Sequence, residues 1–142
     1  MRGIVVVSII AGPIPVRVLR AAQFHEFVPQ LVEWGRQGEV SYLPKMRTQL
    51  VAAKTVAEAL ADLATGLEPT AAGIPEIAGP RAENLVDMAN LLAARSGGPV
   101  KVEGASDPAD PDRDLYENGG LLPGPDATLA GPTFEEWLDT AS

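Results

Sequence analysis

The single histidine stands beside a carboxylate, His25-Glu26, and such a pair opens the zinc-binding pattern His-Glu-x-x-His. Position 29 is proline, so the second imidazole one helical turn on is missing. With one histidine and no cysteine, a metal site would have to be built from carboxylates, which suits Mg2+ or Ca2+ better than zinc. Asp110-x-Asp112-x-Asp114 repeats the first three ligand positions of a calcium loop. Leu115 stands where that loop needs its glycine, however, and Leu121 where it needs its bidentate glutamate. The expectation is no metal, a solvated acidic loop, and a histidine on a helix surface or pocket wall.

Ser8 lies near the end of an apolar run, a position where α/β folds place reactive hydroxyls, but no base follows it at helical spacing. Tyr42 and Lys45 have Pro44 between them and do not share a helix face, so both read as structural. No Gly-x-Gly-x-x-Gly occurs, and hence no loop to cradle a dinucleotide pyrophosphate. The absence of cysteine excludes a disulfide scaffold, a thiolate nucleophile and an iron–sulfur cluster, so redox chemistry would need a bound cofactor. None of these groups qualifies as catalytic.

Elements that would position such groups follow from periodicity. The chain has 142 residues, 46% of them apolar, which predicts one domain over residues 1–142. Residues 4–10 form a β-branched run that reads as a strand, Ala11-Gly12-Pro13-Ile14-Pro15 breaks it, and Val16-Arg17-Val18-Leu19 resumes a strand. So short a connection requires the two to pair antiparallel if they are neighbours. From Ala22 to Gln37 the apolar residues Phe24, Phe27, Val28, Leu31 and Val32 recur at helical spacing, with Pro29 predicting a kink or a helix start, and Gly35 and Gly38 ending the helix. Val40 to Leu43 reads as a strand stopped by Pro44. Val51 to Thr65 reads as an alanine-rich helix capped by Gly66, followed by a linker over 68–73. A strand over 74–78, a helix over 83–95 closed by Gly97-Gly98, and a strand over 99–103 come next. Residues 104–132 read as a mostly irregular acidic loop. Thr133-Phe134-Glu135-Glu136 then fits a capping box opening a last helix over 133–140. Alternating helices and strands predict an α/β or α+β fold.

Charge is unevenly spread. Residues 1–60 carry seven basic and four acidic side chains, residues 61–142 four basic and fifteen acidic, for a net charge of −8. Nucleic acid is therefore not an expected partner. No apolar run is long enough to span a bilayer and no secretory signal pattern opens the chain, so the expected setting is cytoplasmic, without membrane contact.

Four segments carry a resemblance. Val16-Arg17-Val18-Leu19-Arg20-Ala21-Ala22-Gln23-Phe24-His25-Glu26-Phe27 resembles the strand and helix that open the substrate domain of NmrA-like atypical short-chain dehydrogenases, NAD(P)-binding proteins of actinobacterial type. Arg47-Thr48-Gln49-Leu50-Val51-Ala52 with Val56-Ala57-Glu58-Ala59-Leu60 is similar to the family's alanine-rich helix region. Pro75-Glu76-Ile77-Ala78-Gly79-Pro80 is similar to its strand and turn. Residues 107–110, and Gly131-Pro132-Thr133-Phe134-Glu135-Glu136-Trp137-Leu138 further on, resemble its C-terminal tail. The resemblance covers roughly residues 14–142, the C-terminal half of such a protein. The family's glycine motif and its Tyr-x-x-x-Lys helix are not in this chain.

By that resemblance, residues 1–20 would be residual Rossmann-type strands, a partial Rossmann-like sheet. Residues 21–142 would form the small helical substrate domain, with acidic loop 104–132. Ala22, Gln23 and Phe24 would face the nicotinamide of NAD(P), and Phe24, His25 and Phe27 would line the substrate pocket. The implied function is that of an NAD(P)-dependent oxidoreductase relative, inactive alone, that takes a small-molecule ligand and associates with itself or with a partner chain supplying the nucleotide half. The alternative is a non-catalytic small-molecule-binding or regulatory module, in which NAD(P) plays no part.

Overall fold

A computed structural model describes residues 4–9, 17–65, 75–99 and 101–141. Strand β1 (Ile4–Ile9) lies antiparallel to β2 (Arg17–Ala22), with Ile4 opposite Ala22 and Ile9 opposite Arg17. This is the pairing the short connection demands, because a parallel crossover takes a dozen or more residues. β2 then pairs parallel with β6 (Glu76–Ala78), and β6 parallel with β9 (Thr128–Leu129), giving the order β1-β2-β6-β9. A second sheet joins β3 (Arg36–Gln37), β4 (Val40–Pro44) and β8 (Lys101–Ala105), with β4 and β8 parallel. The two-residue strands β5 (Arg47–Thr48) and β7 (Glu83–Asn84) pair antiparallel. Helices α1 (Phe27–Trp34), α2 (Ala53–Thr65), α3 (Leu85–Ser96), α4 (Arg113–Glu117) and α5 (Phe134–Ala141) complete the described elements. The fold class is α/β.

Three expected elements change their bounds for identifiable reasons. The helix over Ala22–Gln37 is confined to Phe27–Trp34. Ala22 still belongs to β2, and the backbone of residues 23–25 is engaged with Val51: the Val51 N–H donates to the Gln23 carbonyl and the His25 N–H to the Val51 carbonyl, both at 3.0 Å. Pro29 falls in the first turn of α1, where backbone donors have no intrahelical partner, so it neither kinks nor starts the helix. The same bonds hold Val51 extended, so α2 begins at Ala53 and not at Val51. Residues 104–132 are not wholly irregular, since α4 and β9 lie within them. Val16, the break at 11–15, Gly66, the 68–73 linker, Ile74 and Val100 lie outside the described residues.

Helix ends follow local chemistry. Gly97 takes a left-handed conformation (φ 81°) and donates to the Ala93 carbonyl, closing α3. The capping box forms as expected: the Thr133 N–H donates to Glu136 Oε1 at 2.9 Å and the Glu136 N–H to Thr133 Oγ1 at 3.2 Å. Gly35 caps α1 where a Cβ would lie 2.2 Å from the Tyr42 carbonyl oxygen, so α1 and β4 meet closely only through glycine.

Two apolar clusters hold these elements. The first packs Val28 and Val32 of α1 against Leu43 of β4, Leu85, Met88, Ala89 and Ala93 of α3, Val102 of β8 and Phe134 of α5. The second joins Leu19, Ala21 and Ala22 of β2 with Val51, Val56, Ile77 and Ala78. Each large side chain buried in them contributes about 1.5–3 kcal/mol. Polar ties add direction to the first cluster. Ser41, wholly buried, donates from Oγ to the Val32 carbonyl at 2.6 Å. Asn90 mimics a strand on the edge of β8, donating to the Val102 carbonyl and accepting from its N–H, each at 2.9 Å.

Candidate functional site

A cleft of about 610 Å3 opens beside the second sheet. Its walls are Gln23, just after β2; residues 42–46, at the end of β4 and beyond; residues 105–108, at the end of β8; and side chains of α4 and its surroundings, chiefly Arg113, Tyr116 and Leu121. The cleft therefore gathers the carboxyl ends of three strands. In open α/β sheets, ligands bind in such a crevice, because the strand ends there expose backbone groups and loops with no further sheet to satisfy them.

Local structure explains how these walls are placed. Burial alternates along β4, with Ser41 and Leu43 inward and Tyr42 outward. Lys45 is held by its backbone N–H to the Ala105 carbonyl at 3.1 Å, and Gly104 leaves room for its stem, since a Cβ there would lie 2.8 Å from Lys45 Cγ. The acidic loop is ordered by its own carboxylates. Asp107 accepts from the Ala109 N–H and Asp110 from the Asp112 N–H, each at 2.9 Å, and Ser106 Oγ donates to Glu117 Oε1 at 2.8 Å. Those carboxylates thus act as turn locks, and no group of three or more potential metal ligands occurs among the described residues. Burial, followed by the Asp112 and Asp110 carboxylates, pushes the Tyr116 phenol above its ordinary range, so it presents a neutral hydroxyl.

The five positions expected at the site part company. Gln23 lines the cleft. Ala22 is buried in the second cluster, and Phe24 packs half-buried against that cluster, its ring stacked on Phe27 at 6.3 Å between centroids. Phe27 lies at the start of α1 and is exposed. His25 is only 1% exposed and sits in an aromatic cage, its ring centroid 5.5 Å from Phe134 and 5.7 Å from Trp137. None of these four is part of the cleft wall. Alternation along the extended backbone at the Phe24–Val51 bridge turns Ala22 and Phe24 away from the side of Gln23, and the turn at residues 25–26 carries His25 and Phe27 off toward α1.

The His25-Glu26 pair is split between two structural duties. His25 Nε2 lies 3.0 Å from the Pro132 carbonyl. Because a carbonyl only accepts, Nε2 carries the proton and Nδ1 the lone pair, and Nδ1 is buried with no hydrogen-bond partner among the described residues. Burial holds the imidazole below its ordinary pKa, while the Pro132 carbonyl, Glu26 and Glu83 act in the opposite sense. Glu26 accepts from the Ala53 N–H at 3.1 Å and so caps α2 from outside the helix. Ser8 stands opposite Val18 in the β1–β2 register.

Tyr42 and Lys45, which read from the sequence as structural, line the cleft, as do Met46, Arg113 and Tyr116, to which no motif points. Only the outward phase of Tyr42 in a period-two strand was available as a signal. Gln23 brings a side-chain amide to the cleft wall beside the end of β2, and no glycine-rich phosphate-binding motif occurs in the sequence. No helix of the described residues is long and apolar enough to cross a membrane. Compared with protein-family models, curated proteins and solved structures, the chain finds no match.

Proposed function

We propose that this chain is the substrate-binding half of an NAD(P)-dependent oxidoreductase of the NmrA-like atypical short-chain dehydrogenase type, and that it turns over only with a polypeptide that supplies the nucleotide-binding half. The observation that carries the reading is the convergence of β2, β4 and β8 on one cleft at their carboxyl ends, with Gln23 at its wall. In this reading Gln23 faces the nicotinamide carboxamide. Tyr42, Met46 and Leu121 give the substrate an apolar surface, and Lys45 and Arg113 supply cations at its border. The dinucleotide brings the hydride chemistry when bound; the chain's own residues orient substrate and limit water. Phe24, His25 and Phe27 are not part of the cleft wall.

A second reading has its own support. The cleft is built entirely from this chain, whereas a pyrophosphate nest is not, which favours a binding or regulatory module that holds a small molecule without redox chemistry. Coexpression with the nucleotide-binding half of an NmrA-like protein, followed by an NADPH oxidation assay over a panel of carbonyl and quinone substrates, separates the two. A stable complex with turnover that falls at least tenfold in Gln23→Ala supports the oxidoreductase half. A chain that forms no complex and gives no turnover refutes it.

A further inference from the structure

We propose that His25 is the latch of an acid-released C-terminal arm: a second proton on its imidazole frees residues 132–141 from the turn between β2 and α1.

The latch is a contact between residues 107 positions apart. His25 Nε2 donates to the Pro132 carbonyl at 3.0 Å, and the ring is enclosed by Phe134 and Trp137. These two rings lie 5.6 Å apart at their centroids, so the three form one cluster of edge-on and tilted rings joining α5 to the turn after β2. A second proton must go to Nδ1, which is buried and has no acceptor among the described residues. A buried cation with one of its two N–H donors unpaired is disfavoured, and opening the cage returns that donor to water. The carboxylates that act on the ring, Glu26 and Glu83, and those carried by α5 are engaged with other groups. In its own turn, Glu26 is bound to the Ala53 N–H; on β7, Glu83 is paired with Arg81 at 3.0 Å. On α5, Glu135 and Asp139 are paired with Arg95 of α3, and Glu136 is locked on Thr133, whose N–H holds its carboxyl below the ordinary range. No carboxylate hydrogen-bonds Nδ1, and the attraction of Glu26 and Glu83 from a distance is outweighed by burial.

The arm is the element able to give way. Among its described side chains only Phe134 is fully buried; Trp137 and Leu138 are half-covered, and the ion pairs to Arg95 are exposed. Exposed pairs contribute only about 0–1 kcal/mol. Release uncovers the apolar side of α3 at Met88 and Leu91, which border a cavity together with Phe134. The direction of the effect is fixed by linkage. The open arm binds the proton more readily than the closed one, so closure is complete above the ordinary imidazole pKa of 6.5 and weakens as pH falls below it. One proton is taken up per opening, so the open fraction rises about tenfold per pH unit between the two pKa values.

The test uses the full chain with Trp34→Phe, which removes the exposed tryptophan and leaves Trp137 as the reporter. Trp137 emission and amide exchange, corrected for intrinsic rate, are followed from pH 7.5 to pH 5. The latch predicts a red shift of Trp137 and faster exchange confined to residues 132–141, with α2 and α3 still protected. In His25→Gln, which keeps a donor for the Pro132 carbonyl but does not titrate, both changes disappear. His25→Phe serves the same purpose by packing if the glutamine variant fails to fold. The same acid release in either variant, simultaneous loss of protection in α3, or no release in the parent down to pH 5 overturns the proposal.

Discussion

The two apolar clusters are built on opposite economies of size. The first is filled with large side chains, Phe134, Leu43 and Met88 among them, and is laced by ties between distant segments: Ser41 to Val32, Asn90 to Val102 and His25 to Pro132. The second sets Ala21, Ala22 and Ala78 among Leu19, Val51, Val56 and Ile77, and these small residues let β2, β6 and the Val51 segment approach closely. Gly79 shows how closely: a Cβ there would stand 1.8 Å from the Leu50 carbonyl oxygen. The first region therefore fails by losing volume and the second by gaining it. The cleft rests on the first, whose rigid packing supports its walls, while Gln23 arrives from the second.

Substitutions that exploit this contrast differ in size. Phe134→Ala empties the centre of the first region and should cost about 3–5 kcal/mol, read as a lower denaturant midpoint. A loss below 1 kcal/mol would mean that α5 is not part of the core. Gly79→Ala inserts a methyl group where backbone already lies, at a cost of about 1–3 kcal/mol or more, although the same exchange at an open site is stabilising. Glu26→Ala tests the joint between the regions: removing the carboxylate from the Ala53 N–H should cost about 1 kcal/mol and increase amide exchange at the start of α2 while leaving α3 unchanged. Arg95→Ala removes exposed pairs to Glu135 and Asp139 and should cost about 0–1 kcal/mol, diminishing with salt. If Arg95→Ala proved as costly as Phe134→Ala, the arm would be held by charge and not by packing.

What could be read from the sequence was local. The stripe of Val56, Leu60 and Leu63 marks α2, the short break after residue 10 dictates antiparallel pairing of β1 and β2, and Thr133 with Glu136 announces α5. Elements set by distant partners were hidden. Val51 leaves its helical pattern because Gln23 and His25 claim its backbone, and α4 is too short for Leu115 and Tyr116 to show a period. Of the five positions expected at a site, Gln23 alone lines the cleft. His25 reads from the sequence as a surface or pocket residue because the groups that bury it, Pro132, Phe134 and Trp137, lie more than a hundred residues away, and Tyr42 and Lys45, which share no helix face, meet at one wall through a strand end and the room left by Gly104.

The most direct test of the central claim is a thermal melt followed by tryptophan emission, with and without NADPH, run on the chain alone and on its complex with a nucleotide-binding half. A ligand at a hundredfold excess over its Kd stabilises the state it binds by about 2.7 kcal/mol. The account predicts a cooperative melt unmoved by NADPH for the chain alone and an upward shift for the complex. A shift of that size in the chain alone, or none in the complex, would contradict it.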